Sequence, residues 1–225
     1  MPKLRRIGGV LTALVAAALT AQCGAPAPPA PPAPPPAPRF TAQVEPVTAQ
    51  RLGASWRPEC PVTPEQLRLV RLTHFGADGR EHTGELVVNA DRVPQTIAAF
   101  RRLHELRFPI ERMRTPEHYP GASDELSMRD NNSSAFNCRP IEGSGGWSHH
   151  AYGRAIDINT RVNPYASSEG LVQPADGGPY LDRSRRDPGM LHPGDPAVRA
   201  FTDAGWTWGG QWRDPKDFQH FELGE

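Results

Sequence analysis

The spacing of apolar positions changes several times along the chain, and each change predicts an element. Leu67 to Phe75 is rich in strand formers, Gly76-Ala77-Asp78-Gly79 is a turn signal, and Thr83 to Asn89 carries Leu86, Val87 and Val88. Together they predict a hairpin. Ile97, Ala98, Phe100, Leu103 and Leu106 recur at roughly helical spacing. That predicts an amphipathic helix over Val93 to Leu106, packed on the sheet. Phe108 to Met113 predicts a further strand. Residues 114 to 135 are polar and predict a long loop that walls a cleft. Short strands are predicted over Ala135 to Arg139 and from Ala155 to Asn159, where Ala155-Ile156-Asp157-Ile158 is buried. A long loop runs from Asn163 to about residue 195 and shapes a pocket mouth. Pro196 to Ala204 predicts a helix capped by Gly205, Trp206 to Trp208 a strand, and Phe218 to Leu223 the closing strand. Residues 40 to 57 lack a clear period and read as an approach segment, while Thr63 to Gln66 reads as a short helix start. The expected class is α+β: a small, mainly antiparallel sheet flanked by helices in a single domain.

The beginning of the chain is of another kind. Lys3, Arg5 and Arg6 precede an apolar run from Val10 to Leu19, the pattern of an export signal. The run is short for a membrane span, which takes about 20 apolar residues. Cys23 closes it and suggests cleavage and lipidation, although Gln22 departs from the small residue such sites carry. Ala25 to Arg39 is almost all Pro and Ala and predicts an extended spacer. The expected organisation is a signal over 1–23, a Pro/Ala-rich linker over 24–45 and a domain over 46–225. Such a protein is exported to the cell envelope, either lipid-anchored or secreted. The 25 basic and 25 acidic residues balance, so charge gives no case for nucleic acid. With Cys23 set aside, Cys60 and Cys138 remain, and an exported chain meets conditions in which disulfides persist. A Cys60–Cys138 bridge is predicted.

The chemistry concentrates in Ser148-His149-His150-Ala151-Tyr152-Gly153-Arg154-Ala155-Ile156-Asp157 and in Asp217-Phe218-Gln219-His220-Phe221-Glu222. Catalytic zinc usually takes three protein ligands and leaves a fourth position for water. On one straight helix His150 and Asp157 would be two turns apart, about 10 Å, too far to share an ion. Gly153 between them suggests a turn that folds both towards one point, with His220 as the third ligand. Asp217, on a turn or helical start, would point the same way as His220 and serve as a base. Glu222 shares the His220 face of a strand and reads as support for that ligand. His149 is expected to face away, and Ser148 to fix the His150 loop. His104-Glu105 begins like a metalloprotease helix, but the fifth position is Phe108, so both residues read as solvated helix surface. His192 reads as a surface imidazole. Trp212 either lines the pocket or joins the core.

The pattern Ser148-x-His150-x-x-Gly153-x-Ala155-x-Asp157, followed by Asp217-x-x-His220, resembles the M15 family of zinc peptidases. Asn131 to Arg139, Asn163-Pro164-Tyr165 and Trp206 to Trp212 resemble its carboxypeptidase-like branch, so the likeness spans roughly residues 58 to 224. The family contains D-alanyl-D-alanine carboxypeptidases, D-Ala-D-Ala dipeptidases and L-alanyl-D-glutamate endopeptidases. The resemblance implies a Hedgehog/D-Ala-D-Ala peptidase-like fold. It implies Zn²⁺ on His150, Asp157 and His220, with Asp217 as general base. It also implies an arginine near Arg139 that holds the scissile carbonyl or a substrate carboxylate, with Arg129 and Arg154 as competitors. Dipeptidase members carry Glu where this chain has Asp217, which weakens that activity, while endopeptidase-like members more often carry Asp. The expected function is a zinc peptidase acting on peptidoglycan stem peptides as a D-alanyl-D-alanine carboxypeptidase, and the expected state is a monomer. The alternatives are an L-alanyl-D-glutamate endopeptidase and a non-catalytic zinc-containing wall-binding module.

Overall fold

A computed structural model describes residues 39–141 and 145–224. The expected signal, the Cys23 lipidation site and the spacer up to residue 38 lie outside the described residues. The described fold belongs to the unit Pro38–Glu225.

Strand β1 (Ala42–Pro46) and helix α1 (Ala49–Leu52) come first. β1 runs antiparallel to β2 (Leu67–Phe75), with Ala42 opposite Leu72. The segment expected to be a featureless approach is therefore part of the sheet, and the boundary expected at 45/46 falls inside β1. Its burial shows why the pattern was silent: Val44 is exposed and β1 covers only the edge of the sheet. β2 and β3 (Glu81–Asn89) form the predicted hairpin, closed where the Gly76 N–H donates to the Arg80 carbonyl at 2.8 Å.

Helix α2 (Val93–Glu105) lays Ala99, Phe100 and Leu103 over Val70, Leu72, Leu86 and Val88. Each of the larger of these side chains contributes about 1.5–3 kcal/mol when removed from water. His104, expected on the solvated face, is buried and pairs with Glu81 at 2.6 Å, because the β3 end of the hairpin covers that side of the helix.

Only Arg112–Met113 of the strand expected at 108–113 forms one, β4, and it pairs parallel with β5 (Asn132–Ser133). The polar stretch between them is not simply a loop. Ser123 caps helix α3 (Asp124–Arg129), with Asp124 and Glu125 in its first turn, where the helix dipole favours acids. The strand expected over Ala135–Arg139 is absent. That backbone is held instead by single bonds, Phe136 N–H to Val87 O at 2.9 Å and Cys138 N–H to Ser55 O at 3.0 Å.

The remaining elements are β6 (Ala155–Asp157), β7 (Tyr165–Ala166), β8 (Val172–Gln173), α4 (Pro196–Thr202), β9 (Thr207–Trp208), β10 (Lys216–Asp217) and β11 (His220–Glu222). In place of one small sheet, the described residues form three antiparallel ones, ordered β1-β2-β3, β10-β7-β8 and β6-β11-β9, besides the β4–β5 pair. The α+β class holds. α4 carries Phe201 onto Phe221 of β11, with ring centres 4.0 Å apart. Trp206 and Trp208 close the same core. Cys60 and Cys138 are joined as a disulfide beside Leu52, Leu67 and Phe136. Among the described residues no helix is long and apolar enough to cross a membrane.

Candidate metal centre

Local structure brings His150 and Asp157 together. The Ser148 hydroxyl accepts the His150 N–H at 3.3 Å and opens a 3-10 turn over His149–Tyr152. Gly153 ends that turn in the left-handed region, with φ 66°. A Cβ there would come within 2.6 Å of the Asn89 nitrogen, so the position needs glycine on two counts. The chain then enters β6, and Asp157 stands directly opposite His220 of β11 in the antiparallel register. Opposed residues of paired strands share a face.

The three side chains meet in the interior, each less than a tenth exposed. His150 Nε2 lies 3.1 Å from Asp157 Oδ2 and 3.2 Å from His220 Nδ1, and His220 Nδ1 lies 3.0 Å from Asp157 Oδ1. The other ring nitrogens fix the tautomers. His150 Nδ1 donates to the Ala135 carbonyl at 2.5 Å, and His220 Nε2 donates to Glu222 Oε2 at 3.2 Å. In its neutral form each ring turns a lone pair inward, beside a carboxylate. Lone pairs at this spacing repel unless a positive charge lies between them. Tetrahedral bonds of about 2.0–2.2 Å require donors about 3.3 Å apart, so the set fits one divalent ion. The same demand appears in protonation. Burial opposes charge on His220, but Asp157 and Glu222 outweigh it and push the imidazole up to about 10. Asp157 is held well below the usual carboxylate range, because the His150 and His220 charges outweigh its burial.

The centre opens into a cleft of about 840 Å³. Asp217 lines it, and its Oδ1 is closed off from solvent without a hydrogen-bond partner among the described residues. Burial pushes this carboxyl up to about 6, against the His220 charge and a hydrogen bond from the Gln219 amide. Arg139 also lines the cleft, 3.0 Å from Asp124. Trp212 forms part of the wall, half-buried, with its ring centre 5.4 Å from that of His220. Of the expected polar loop, Asp124, Glu125 and Met128 do form a wall, but as the helix α3.

Residues 142–223 match the family model described as D-alanyl-D-alanine carboxypeptidase, an M15 peptidase model. The likeness of this segment to M15 peptidases points to hydrolysis of peptide bonds. No curated protein and no solved structure matches the chain. The matched segment contains all three donor residues together with Asp217 and Glu222, whereas Arg139 and the wall helix α3 precede it.

Some placements differ from expectation. Asp217 does not share a turn with His220; it sits on β10, paired with Tyr165 of β7, and reaches the centre from the neighbouring sheet. His192 is buried, held by Asp195 at 3.1 Å and the Arg185 carbonyl at 3.0 Å, because the loop before α4 folds over it. His149, expected to face away, lines the same cleft with its Nδ1 3.7 Å from Glu222 Oε2, and it is not among the three donors that meet. Sequence reasoning passed over Gln219, which lines the cleft while almost wholly buried. Its signal in the sequence was slight, a polar residue between Phe218 and His220.

Proposed function

We propose that this chain is an exported zinc peptidase that trims peptidoglycan stem peptides as a D-alanyl-D-alanine carboxypeptidase. The observation that carries it is the inward convergence of two imidazole nitrogens and a carboxylate beside Asp217, whose Oδ1 has no partner among the described residues. His150, Asp157 and His220 would hold Zn²⁺, which when bound supplies Lewis-acid polarisation of the scissile carbonyl and a more acidic water. Asp217 takes the proton of the attacking water and passes it to the departing amine. Glu222 keeps the His220 ring in one tautomer throughout.

A substrate ending in a carboxylate needs a cation in the cleft. Arg139 is the one arginine or lysine among the described lining residues. We assign it to the substrate carboxylate or to the developing oxyanion, in exchange with Asp124. Asp at position 217 favours the second reading, cleavage between L-Ala and D-Glu, on the family resemblance. The retained base argues against a binding module without activity.

The test is mass spectrometry of wall peptides digested with the full chain, with and without chelator, and with Asp217→Asn. Loss of a terminal D-Ala that stops with chelator and falls about 10²–10⁴-fold in the variant supports the carboxypeptidase. Separation of L-Ala from D-Glu selects the endopeptidase. Zinc and wall binding with no new amine from the wild type overturns both.

A further inference from the structure

Gln219 stands one residue before His220, and its backbone is pinned, the carbonyl accepting the Ile158 N–H at 3.1 Å. Gln219 is one of the residues lining the cleft, yet it is only 3% exposed. The amide nitrogen donates to the Met128 sulfur at 3.6 Å, a weak acceptor, and leans towards Asp217. The amide oxygen is buried with no partner among the described residues. A buried acceptor left unpaired is costly, and most buried polar groups in folded proteins have a partner. The amide nitrogen thus has local partners, and the oxygen has none among the described residues. The oxygen is neutral, so it discriminates in favour of an uncharged N–H donor where the carboxylates of the cleft would draw cations.

We infer that the Gln219 amide oxygen is a substrate-binding acceptor, which takes the backbone N–H of a peptide residue flanking the scissile bond. This rests on the peptidase reading and deepens it: the ligand must be an amide-linked peptide at that position. A site built to hydrogen-bond an N–H rejects the analogue that lacks it, because the acceptor is then left unpaired.

The experiment is an ester scan. Each amide flanking the cleaved bond is replaced in turn by an ester, the scissile amide being kept. The peptides are offered to the zinc-loaded wild type and to Gln219→Met, a near-isosteric apolar change. We expect one ester position to cost the wild type about tenfold in kcat/KM, the worth of one neutral hydrogen bond. In Gln219→Met the all-amide peptide falls by a similar factor, and that ester position costs no more. Non-additivity of this kind shows the two groups meet. The variant should unfold no lower than the wild type, since an unpaired polar atom has been removed. Equal ester penalties in both proteins at every position overturn the inference, as does unaltered turnover of the all-amide peptide by the variant. If Gln219→Met does not fold, Gln219→Asn, which withdraws the amide by one methylene, must shrink the same penalty or the inference fails. Wild-type turnover of the all-amide peptide reads the peptidase proposal separately. Where that is nil, the same ratios are taken from equilibrium affinities of the same peptides.

Discussion

His220 has two ring nitrogens with different partners, and the division of labour between them governs the centre. Nδ1 faces Asp157 and His150, while Nε2 is held by Glu222. Glu222→Gln keeps the shape but weakens the acceptor that fixes the tautomer. We predict that zinc affinity, measured by competition with a chelator, falls about 10–100-fold while the far-UV spectrum is unchanged. Asp217 makes a second prediction at this scale. Its folded pKa is raised to about 6 by burial, so the carboxylate form needed for base catalysis is lost as pH falls through that region. A bound cation favours the carboxylate and moves the limb down. The acid limb of kcat/KM in the zinc-loaded enzyme therefore lies at or below about pH 6. A limb well above that value would remove Asp217 from the role.

At the scale of elements, the centre depends on a turn and a register. Gly153 lets the 3-10 turn end and β6 begin within one residue, while its carbonyl accepts the Asn89 N–H at 2.8 Å. A side chain there meets Asn89 and Leu67 and has the wrong φ. Gly153→Ala is predicted to destabilise by more than about 1 kcal/mol and to lower the bound zinc per chain, read by metal analysis of the folded fraction. The β6–β11 pairing matters equally. A slip by one residue would turn Asp157 to the opposite face from His220 and dissolve the donor set. Phe221 on the other face, stacked on Phe201, holds that register by burying its ring.

At the scale of the molecule, the disulfide ties two distant stretches, 78 residues apart in sequence, beside the smaller apolar cluster. Closing a loop of that length restricts the unfolded chain, worth roughly 4 kcal/mol by loop entropy. The double change Cys60→Ser/Cys138→Ser should lower the unfolding free energy by about that amount in denaturant titration. The folded variant should keep its zinc, because neither cysteine reaches the centre. Substrate walls come from far-separated parts of the chain, α3 on one side and the segment around Trp212 on the other. Loss of the bridge should thus lower thermal stability more than it alters KM.

Much of this was legible in the chain itself. The β2–β3 hairpin and α2 were written in periods of two and about 3.6, because alternate burial leaves that trace wherever one face meets a core. The grouping of His150, Asp157 and His220 was legible because a glycine break and a second block can only serve one ion if they fold back on each other. What the sequence left open shares a physical reason: local pattern records which face is buried and not what buries it. β1 was missed because an edge strand with exposed side chains has little period to show. His104 and His192 became interior residues through contacts with segments distant in sequence. The Ala135 carbonyl that sets the His150 tautomer and the Gln219 oxygen that finds no partner exist only once separate strands and loops are packed together. The sequence singled out the three residues whose donor atoms meet. The tertiary structure alone decided which atoms of those residues face one another, because hydrogen-bond partners are set by positions in space and not along the chain.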